Sequence, residues 1–289
     1  MREYLYYPGC SLKGIGGPYE QSLLSAFSKL GVKLTEIADW NCCGATAYMS
    51  VDANMAIALA ARNLAIAERS DGQDIIAPCS GCYLSLTKAK AMLEQYPELR
   101  AKVVGALGQA SLRYTGRSNV RHPLEVLMTD IGAKELKKLV TKPLKNLKVV
   151  PYYGCAILRP YEAVSDPHAP TVLEEMISLA GATPLDYPYK GRCCGGMLTS
   201  GVQTVGLRLA EILLEAAKSA QADVIVTTCP LCHYNLECYQ DKLRKSTGKE
   251  FGVPVMYFTQ MLGLAMGLSE EEVGMNRLLR KPAIAGVTA

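Results

Sequence analysis

The chain has 289 residues, of which 49% are hydrophobic and 20% charged, and its formal net charge is +4. This length and composition fit a folded protein with room for two cores. The small charge, with its lysines concentrated in a helix-and-linker stretch at 134–148, argues against a nucleic-acid binder. Neither a signal-peptide pattern nor a bilayer-spanning apolar run is present, so the sequence predicts a cytoplasmic protein without a membrane span.

The first half of the chain alternates short apolar strands with helices. Strands are predicted at 4–9, 32–38 and 74–79, helices at 18–31, 55–72 and 83–96, and a fourth strand–helix pair within 120–133. Such alternation is typical of a parallel sheet covered by helices on both faces. The fold class predicted for this half is therefore α/β.

The second half repeats the first. The stretch KVVPYYGC (148–155) corresponds to EYLYYPGC (3–10), DVIVTTCPLCHYNL (223–236) to DIIAPCSGCYLSL (74–86), and 255–268 to 120–133. We therefore predict two duplicated Rossmann-like parallel-sheet lobes, residues 1–143 and 144–289. Their junction falls in the lysine-rich, proline-containing stretch 141–147.

Ten of the eleven cysteines form two matching sets. Each set has one cysteine, then an adjacent pair followed by glycine, then a C-x-x-C; the sets are Cys10, Cys42, Cys43, Cys79, Cys82 and Cys155, Cys193, Cys194, Cys229, Cys232. In a reducing compartment such cysteines indicate metal or redox chemistry rather than disulfides. Each follows a predicted strand, so each set should gather at the carboxyl edge of its sheet, where open α/β sheets bind ligands. Gly44, Gly195 and Gly196 allow the backbone to turn sharply beside the adjacent pairs.

Five thiols per lobe exceed what the common sites require. Structural zinc takes four ligands, a cubane iron–sulfur cluster also takes four, and a redox dithiol explains only two. The number of cysteines therefore favours an iron–sulfur cluster with a fifth thiolate, or a four-ligand site plus one catalytic cysteine.

With both five-cysteine sets complete, the chain resembles the cysteine-rich CCG-domain family, and within it the B-type subunits of heterodisulfide reductases. The segments that carry the resemblance are LAARNLAIAE (59–68), DWNCCGA (39–45), TVLEEMISLAGA (171–182) and CPLCHYNL (229–236). The resemblance implies that each set holds one non-cubane [4Fe–4S] cluster. It also implies that a small disulfide is split between the two clusters, and that the chain is the catalytic subunit.

The same resemblance implies two partners, a ferredoxin-like iron–sulfur subunit of the C type and a flavoprotein subunit of the A type. Methanogen members have proline after the first adjacent pair, whereas this chain has Gly44, as bacterial relatives do. The direction therefore stays open, and thiols are an alternative substrate to a disulfide. A non-catalytic electron-relay CCG subunit of a dehydrogenase complex is the alternative function.

Four further positions are of interest. His233 follows Cys232 directly and is a candidate catalytic residue that protonates a leaving thiolate, with packing as the alternative. His122 corresponds to Tyr257 in the repeat, and both are expected to pack near the interface. Cys238 lies outside the sets and is expected to be a buried small hydrophobe.

Overall fold

The computed structural model describes residues 2–46, 48–70, 72–161 and 166–284. These residues form two four-stranded parallel sheets, one in each half of the chain, with helices packed against them. The duplicated α/β fold predicted from the sequence is confirmed.

The first sheet has the strand order β2-β1-β3-β4. Its strands are β1 (Arg2–Tyr6), β2 (Val32–Glu36), β3 (Ile75–Ile76) and β4 (Val120–Arg121). The helices of this half are α1 (Gly9–Leu12), α2 (Gly17–Lys29), α3 (Tyr48–Val51), α4 (Ala53–Ala67), α5 (Ser80–Gln95), α6 (Pro97–Gln109), α7 (Pro123–Val126), the π-helical Leu127–Gly132, and α8 (Ala133–Leu139).

The second sheet has the order β6-β5-β7-β8, which matches the first strand by strand. Its strands are β5 (Lys148–Tyr152), β6 (Thr183–Pro184), β7 (Val224–Thr227) and β8 (Val255–Tyr257). The helices are α9 (Val172–Leu179), α10 (Gln203–Ser219), α11 (Pro230–Cys238), α12 (Gln240–Thr247), α13 (Phe258–Ala265) and the 3-10 turn Met275–Arg277. None of the helices in the described ranges is both long and apolar enough to cross a bilayer.

Local chemistry explains the main element boundaries. The Asp52 carboxylate accepts hydrogen bonds from the backbone N–H groups of Asn54 (2.9 Å) and Met55 (3.1 Å), which caps the start of α4. Helix α2 has Pro18 in its first turn, and the chain leaves it through Gly31 at a φ of +69°. All four residues of β7 are buried, as expected for a strand covered on both faces.

Helix α6 is absent from the predicted set. Helix α6 begins at Pro97, directly after α5, and the two share Tyr96 as their junction. Proline cannot continue α5 because it lacks the N–H group, yet its fixed φ suits the first turn of a new helix. The Tyr96–Pro97 pair thus divides a long helical stretch into two helices.

The two lobes pack on each other through α2 and α13. The hydroxyl groups of Ser22 and Thr259 are 2.6 Å apart across this contact. Tyr19 stacks on Tyr257 with ring centroids 4.4 Å apart and an angle of 8° between the rings. The buried apolar residues of both halves form one continuous core. This packing holds the lobes so that the carboxyl edges of both sheets face a common space.

Candidate metal centre

All ten cysteines of the two sets line one cavity between the lobes. The cavity encloses about 730 Å³ of empty space, part of it open to solvent. Every one of these cysteines is a free thiol. The remaining lining residues described are small, hydroxylated or apolar, and none carries a charged side chain. The predicted convergence of ten residues distant in sequence is therefore present in the fold.

In the first lobe, three successive strand ends supply the five thiols. Cys10 lies on α1 just after β1, and the adjacent pair Cys42 and Cys43 lies in the loop after β2. Cys79 is the N-cap of α5, and Cys82 lies in its first turn. The Sγ atoms of Cys10 and Cys42 are 3.8 Å apart, and those of Cys43 and Cys82 are 3.4 Å apart.

The second lobe repeats this arrangement. Cys155 follows β5, and the adjacent pair Cys193 and Cys194 follows β6. Cys229 is the N-cap of α11, and Cys232 lies one turn further on. The Sγ atoms of Cys194 and Cys232 are 3.3 Å apart, which matches the Cys43–Cys82 pair of the first lobe.

In each lobe, one glycine brings the backbone close to a cysteine sulfur. A β-carbon at Gly9 would lie 2.8 Å from Sγ of Cys82, and one at Gly154 would lie 3.1 Å from Sγ of Cys232. Both glycines have positive φ, +65° and +71°. Both positions therefore require glycine, because the backbone has a positive φ there and because a β-carbon would approach the sulfur too closely.

A buried tyrosine fixes the loop before each adjacent pair. The Tyr7 hydroxyl donates to the carbonyl of Asn41 at 2.7 Å, and the Tyr152 hydroxyl donates to the carbonyl of Arg192 at the same distance. Asn41 and Arg192 each immediately precede the first cysteine of the pair. The two hydrogen bonds are equivalent in the repeat, so both loops are positioned by the same device.

A second side chain holds the carbonyl of the second cysteine in each pair. The Ser85 hydroxyl donates to the carbonyl of Cys43 at 2.7 Å. The Asn235 amide donates to the carbonyl of Cys194 at 2.6 Å. Ser85 and Asn235 each lie three residues after the last cysteine of their C-x-x-C. The sequence does not predict the roles of Gly9, Gly154, Ser85 and Asn235, although alignment of the two repeats places the two glycines at equivalent positions.

Hydrogen bonds between thiols favour a thiolate on the first cysteine of each adjacent pair. A hydrogen bond from Cys10 lowers the pKa of Cys42, and one from Cys155 lowers the pKa of Cys193 to about 6. The backbone N–H of Gly195 also donates to Sγ of Cys193 at 3.3 Å. Thiolate is the form that binds metal.

The two sets touch at the lobe junction. Hydrogen bonds from Cys232 and from Cys79 of the other lobe lower the pKa of Cys229. The hydrogen bond to Cys229 raises the pKa of Cys79, and burial raises it further. Cys79 and Cys229 are therefore neighbours across the junction, and the two sets adjoin there.

The donor set fits a group with several metal atoms. Among the described residues, no three side chains of His, Cys, Asp or Glu converge as they do around a single ion. The thiols are instead distributed around the walls of the shared cavity, with glycine at the points of closest approach. Thiolates are the ligands that iron–sulfur clusters use, and no carboxylate competes with them among the described residues that line the cavity.

His233 is directed away from the cavity. Its ring stacks on Tyr257 with centroids 4.4 Å apart, and its Nε2 lies 3.0 Å from the carbonyl oxygen of Val255. Burial lowers the pKa of His233 to about 4. The side chain is not among the residues that line the cavity, so its predicted catalytic role, which stays untested, has no direct contact to support it.

The remaining sequence candidates have other roles. Cys238 is only half-buried, so the expectation of a buried residue is wrong; six residues beyond Cys232, it lies on another side of α11. His122 is fully buried at the interface, where its Nε2 is 2.9 Å from the carbonyl of Pro78, and the expected packing position is confirmed.

The sequence matches a known family of cysteine-rich domains and several named relatives. The profile of the CCG cysteine-rich domain matches residues 4–87 and 149–237. The chain is 33% identical to the 8-methylmenaquinol:fumarate reductase membrane anchor subunit of Wolinella succinogenes, over 96% of both chains. It is also 33% identical to the B-type subunit of the ferredoxin/F420H2-dependent CoB-CoM heterodisulfide reductase of Methanosarcina acetivorans, over 96% of this chain and 93% of that one.

A protein of Archaeoglobus profundus that is named for its likeness to the B-type heterodisulfide reductase subunits is 34% identical, over 94% of this chain and 93% of that one. Among solved structures, a hypothetical protein from Helicobacter pylori superposes with a TM-score of 0.76 at 14% identity. That match covers 98% of this chain and 52% of the Helicobacter chain. At this identity the likeness concerns the fold alone.

Proposed function

Because the chain belongs to the family of proteins built from the CCG cysteine-rich domain, as its sequence predicts, we propose that it is the catalytic iron–sulfur subunit of a heterodisulfide reductase-like complex. Its reaction is the reduction of a small disulfide to two thiols, with two electrons and two protons, or the reverse oxidation of two thiols. The relatives named as B-type subunits of heterodisulfide reductases, or as similar to them, support this assignment.

One observation carries the proposal: both complete cysteine sets line a single cavity between the lobes. Reduction of one sulfur–sulfur bond takes two electrons. Two one-electron carriers on either side of that bond can supply them together, so that no thiyl radical is released. Two metal centres that share a cleft have this arrangement, whereas two centres at opposite ends of the molecule do not.

We assign Cys10, Cys42, Cys43, Cys79 and Cys82 to one non-cubane [4Fe–4S] cluster. We assign Cys155, Cys193, Cys194, Cys229 and Cys232 to the other. When bound, such clusters supply single electrons and iron atoms with affinity for sulfur. The lobes proposed to hold them are residues 1–143 and 144–289.

The residues of the chain supply binding, orientation and exclusion of water. Ala45, Ala156, Met197 and Leu231 give the cavity apolar walls, which suits an uncharged disulfide bond better than water. Since no charged side chain lines the described part of the cavity, protons must reach sulfur through thiols, through hydroxyls such as that of Ser80, or from solvent at the open side. His233 does not take part in this proton transfer unless its ring rotates toward the cavity.

Electrons must come from partner subunits. The chain has no glycine-rich dinucleotide fingerprint; the stretch KGIGGPYE (13–20) does not fit the required spacing. A ferredoxin-like subunit with cubane clusters and a flavoprotein subunit, in the cytoplasm, are the partners we propose. Each partner would have to dock on the face of the molecule where the cavity opens. Alternatively, a path of clusters would have to connect the partner to that face.

A relay function is the second candidate. The relative from Wolinella is named as a membrane anchor subunit of a fumarate reductase, and it is as similar to this chain as the disulfide reductase subunit from Methanosarcina. In a relay the two cysteine sets pass electrons onward and no sulfur substrate enters the cavity.

Thiol binding separates the two functions. The protein is prepared anaerobically, its iron and acid-labile sulfide are counted, and its electron paramagnetic resonance spectrum is followed during titration with a small thiol. Iron near eight atoms per chain, expected for two four-iron clusters, with a signal that changes on thiol addition, supports the catalytic proposal. Clusters that do not respond to thiol support the relay, and zinc without sulfide overturns both.

A further inference from the structure

Three rings form a stack at the junction of the lobes, two of them fully buried (Tyr19 and Tyr257) and the third, His233, partly buried. The ring of Tyr257 lies between Tyr19 and His233, with centroids 4.4 Å from each and angles of 8° and 13° between the ring planes. Tyr19 belongs to the first lobe, whereas Tyr257 and His233 belong to the second. The two neighbours fix the plane of the Tyr257 ring and thereby limit where its hydroxyl group can point.

The Tyr257 hydroxyl has no hydrogen-bond partner among the described residues, although the side chain is only 1% exposed. By contrast, the buried hydroxyls of Tyr7, Tyr152 and Tyr187 all donate to carbonyl oxygens at 2.7–2.8 Å. A buried hydroxyl without a partner destabilises the fold, because it has given up its hydrogen bonds to water. A phenylalanine ring would stack equally well without this cost, so the hydroxyl group is explained best by a partner outside the chain.

The surroundings of this hydroxyl point to sulfur. Tyr257 pairs in register with Thr227, two residues before Cys229. Its stacking partner Tyr19 donates to the carbonyl of Pro78 at 3.3 Å, directly before Cys79. Its other stacking partner, His233, directly follows Cys232. The Tyr257 ring therefore lies beside residues that flank Cys79, Cys229 and Cys232.

The equivalent residue in the first lobe has no donor to spare. The N–H of Leu124 donates to Nδ1 of His122 at 3.2 Å, which leaves the ring proton on Nε2. That Nε2 lies 2.9 Å from the carbonyl oxygen of Pro78 and 3.4 Å from that of Thr228. Of the two corresponding positions in the repeat, His122 therefore has a donor that is hydrogen-bonded, whereas Tyr257 has one that is not.

We propose that Tyr257 is a positioning residue whose hydroxyl group donates a hydrogen bond to sulfur of the iron–sulfur centre held by the second cysteine set. This inference rests on the function proposed above. A donor to sulfur stabilises the reduced state, which carries one more negative charge, over the oxidised state. The hydroxyl group therefore raises the reduction potential of the centre it contacts.

The test replaces Tyr257 by phenylalanine in the full-length protein prepared anaerobically. Only the difference in hydrogen-bond strength between the reduced and the oxidised centre shifts the potential, and we expect loss of the bond to change the ratio of reduced to oxidised centre at a fixed poise by about tenfold. A tenfold change for one electron corresponds to 59 mV. We expect Tyr257→Phe protein to keep its iron and sulfide, and one midpoint potential to fall by about this amount in a titration followed by electron paramagnetic resonance.

Tyr187→Phe is the matched control. Its hydroxyl also is buried in the second lobe, but it donates to the carbonyl of Leu213 at 2.8 Å, and no cysteine contributes to the shift in its pKa. This variant should lower the melting temperature by breaking a hydrogen bond while leaving every midpoint potential unchanged. It shows whether loss of stability alone can move a potential.

The outcomes separate the inference from the function on which it rests. Wild-type protein without iron and sulfide overturns the proposed function together with this inference. Loaded wild type with unchanged potentials in Tyr257→Phe overturns the inference alone, as expected if a buried water molecule satisfies the hydroxyl group. Equal shifts in Tyr257→Phe and Tyr187→Phe overturn it as well.

Discussion

Replacing Gly9 by alanine tests whether the close approach of backbone to sulfur is needed for metal loading. Gly9 has a φ of +65°, and an added β-carbon would lie 2.8 Å from Sγ of Cys82. Ordinary carbon contacts are about 3.5–4.0 Å, so that sulfur must move by about 0.7–1.2 Å. Metal–ligand distances vary by only about 0.2 Å between sites of one kind. We therefore expect the first set to lose its metal, and iron per chain to fall to about half of the wild-type value.

A second glycine separates the clash from backbone strain. Gly248 has a φ of +70° and nothing within 4 Å of its would-be β-carbon. Both substitutions force a non-glycine residue into the left-handed region, at a cost of about 1–2 kcal/mol. Gly248→Ala should thus lower the melting temperature without loss of iron or acid-labile sulfide. Gly154→Ala, with its contact at 3.1 Å from Sγ of Cys232, should lose less metal than Gly9→Ala. Full iron in Gly9→Ala protein would refute the reasoning.

Two other substitutions test the ligand assignment and a buried acid. The substitution Cys43→Ser should remove about half of the iron and abolish disulfide turnover, while circular dichroism shows that the fold persists. If this variant kept its turnover with half the iron, one cysteine set would be sufficient for the reaction. Glu237 has a 1% exposed side chain, and burial raises its pKa from 4.5 to about 7. Because the folded state then holds a proton that the unfolded chain releases, its contribution to stability is complete below pH 4.5 and is lost as the pH rises to 7. Against Glu237→Gln, the wild type should lose about 2–3 kcal/mol across this interval in chemical denaturation, and parallel pH profiles of the two proteins would contradict the assignment.

The convergence of the cysteines could be predicted because it depends on topology alone. In a parallel sheet every strand ends at the same edge, so thiols that follow β1, β2 and β3 must come together whatever the loops between them do. The duplication then gives the second set without further assumption. Neither step needs a side-chain conformation.

What could not be predicted depends on rotation about a helix axis. Cys232 and His233 are neighbours in sequence, but successive residues on a helix point about 100° apart. The cysteine faces the cavity, and the histidine therefore faces Tyr257 and the carbonyl of Val255. Proximity in sequence suggested a catalytic residue, whereas the helix geometry directs the ring into the interface. The contact between Cys79 and Cys229 similarly depends on how the lobes pack, and no pattern within one repeat encodes it.

The repeat preserves the ligands and exchanges two of their neighbours. Cys82 is followed by Tyr83 and Cys232 by His233, whereas the residues at the ends of β4 and β8 are His122 and Tyr257. Tyrosine and histidine have thus changed places between the lobes. The exchange has a chemical consequence because the His122 donor is engaged by backbone carbonyls, and the Tyr257 hydroxyl has no partner among the described residues. Two sets with the same five ligands then differ in hydrogen bonding to sulfur, which is one of the factors that set the reduction potential. We expect two separate one-electron steps in the wild-type titration, and their separation should change in Tyr257→Phe protein, since only one lobe loses a donor.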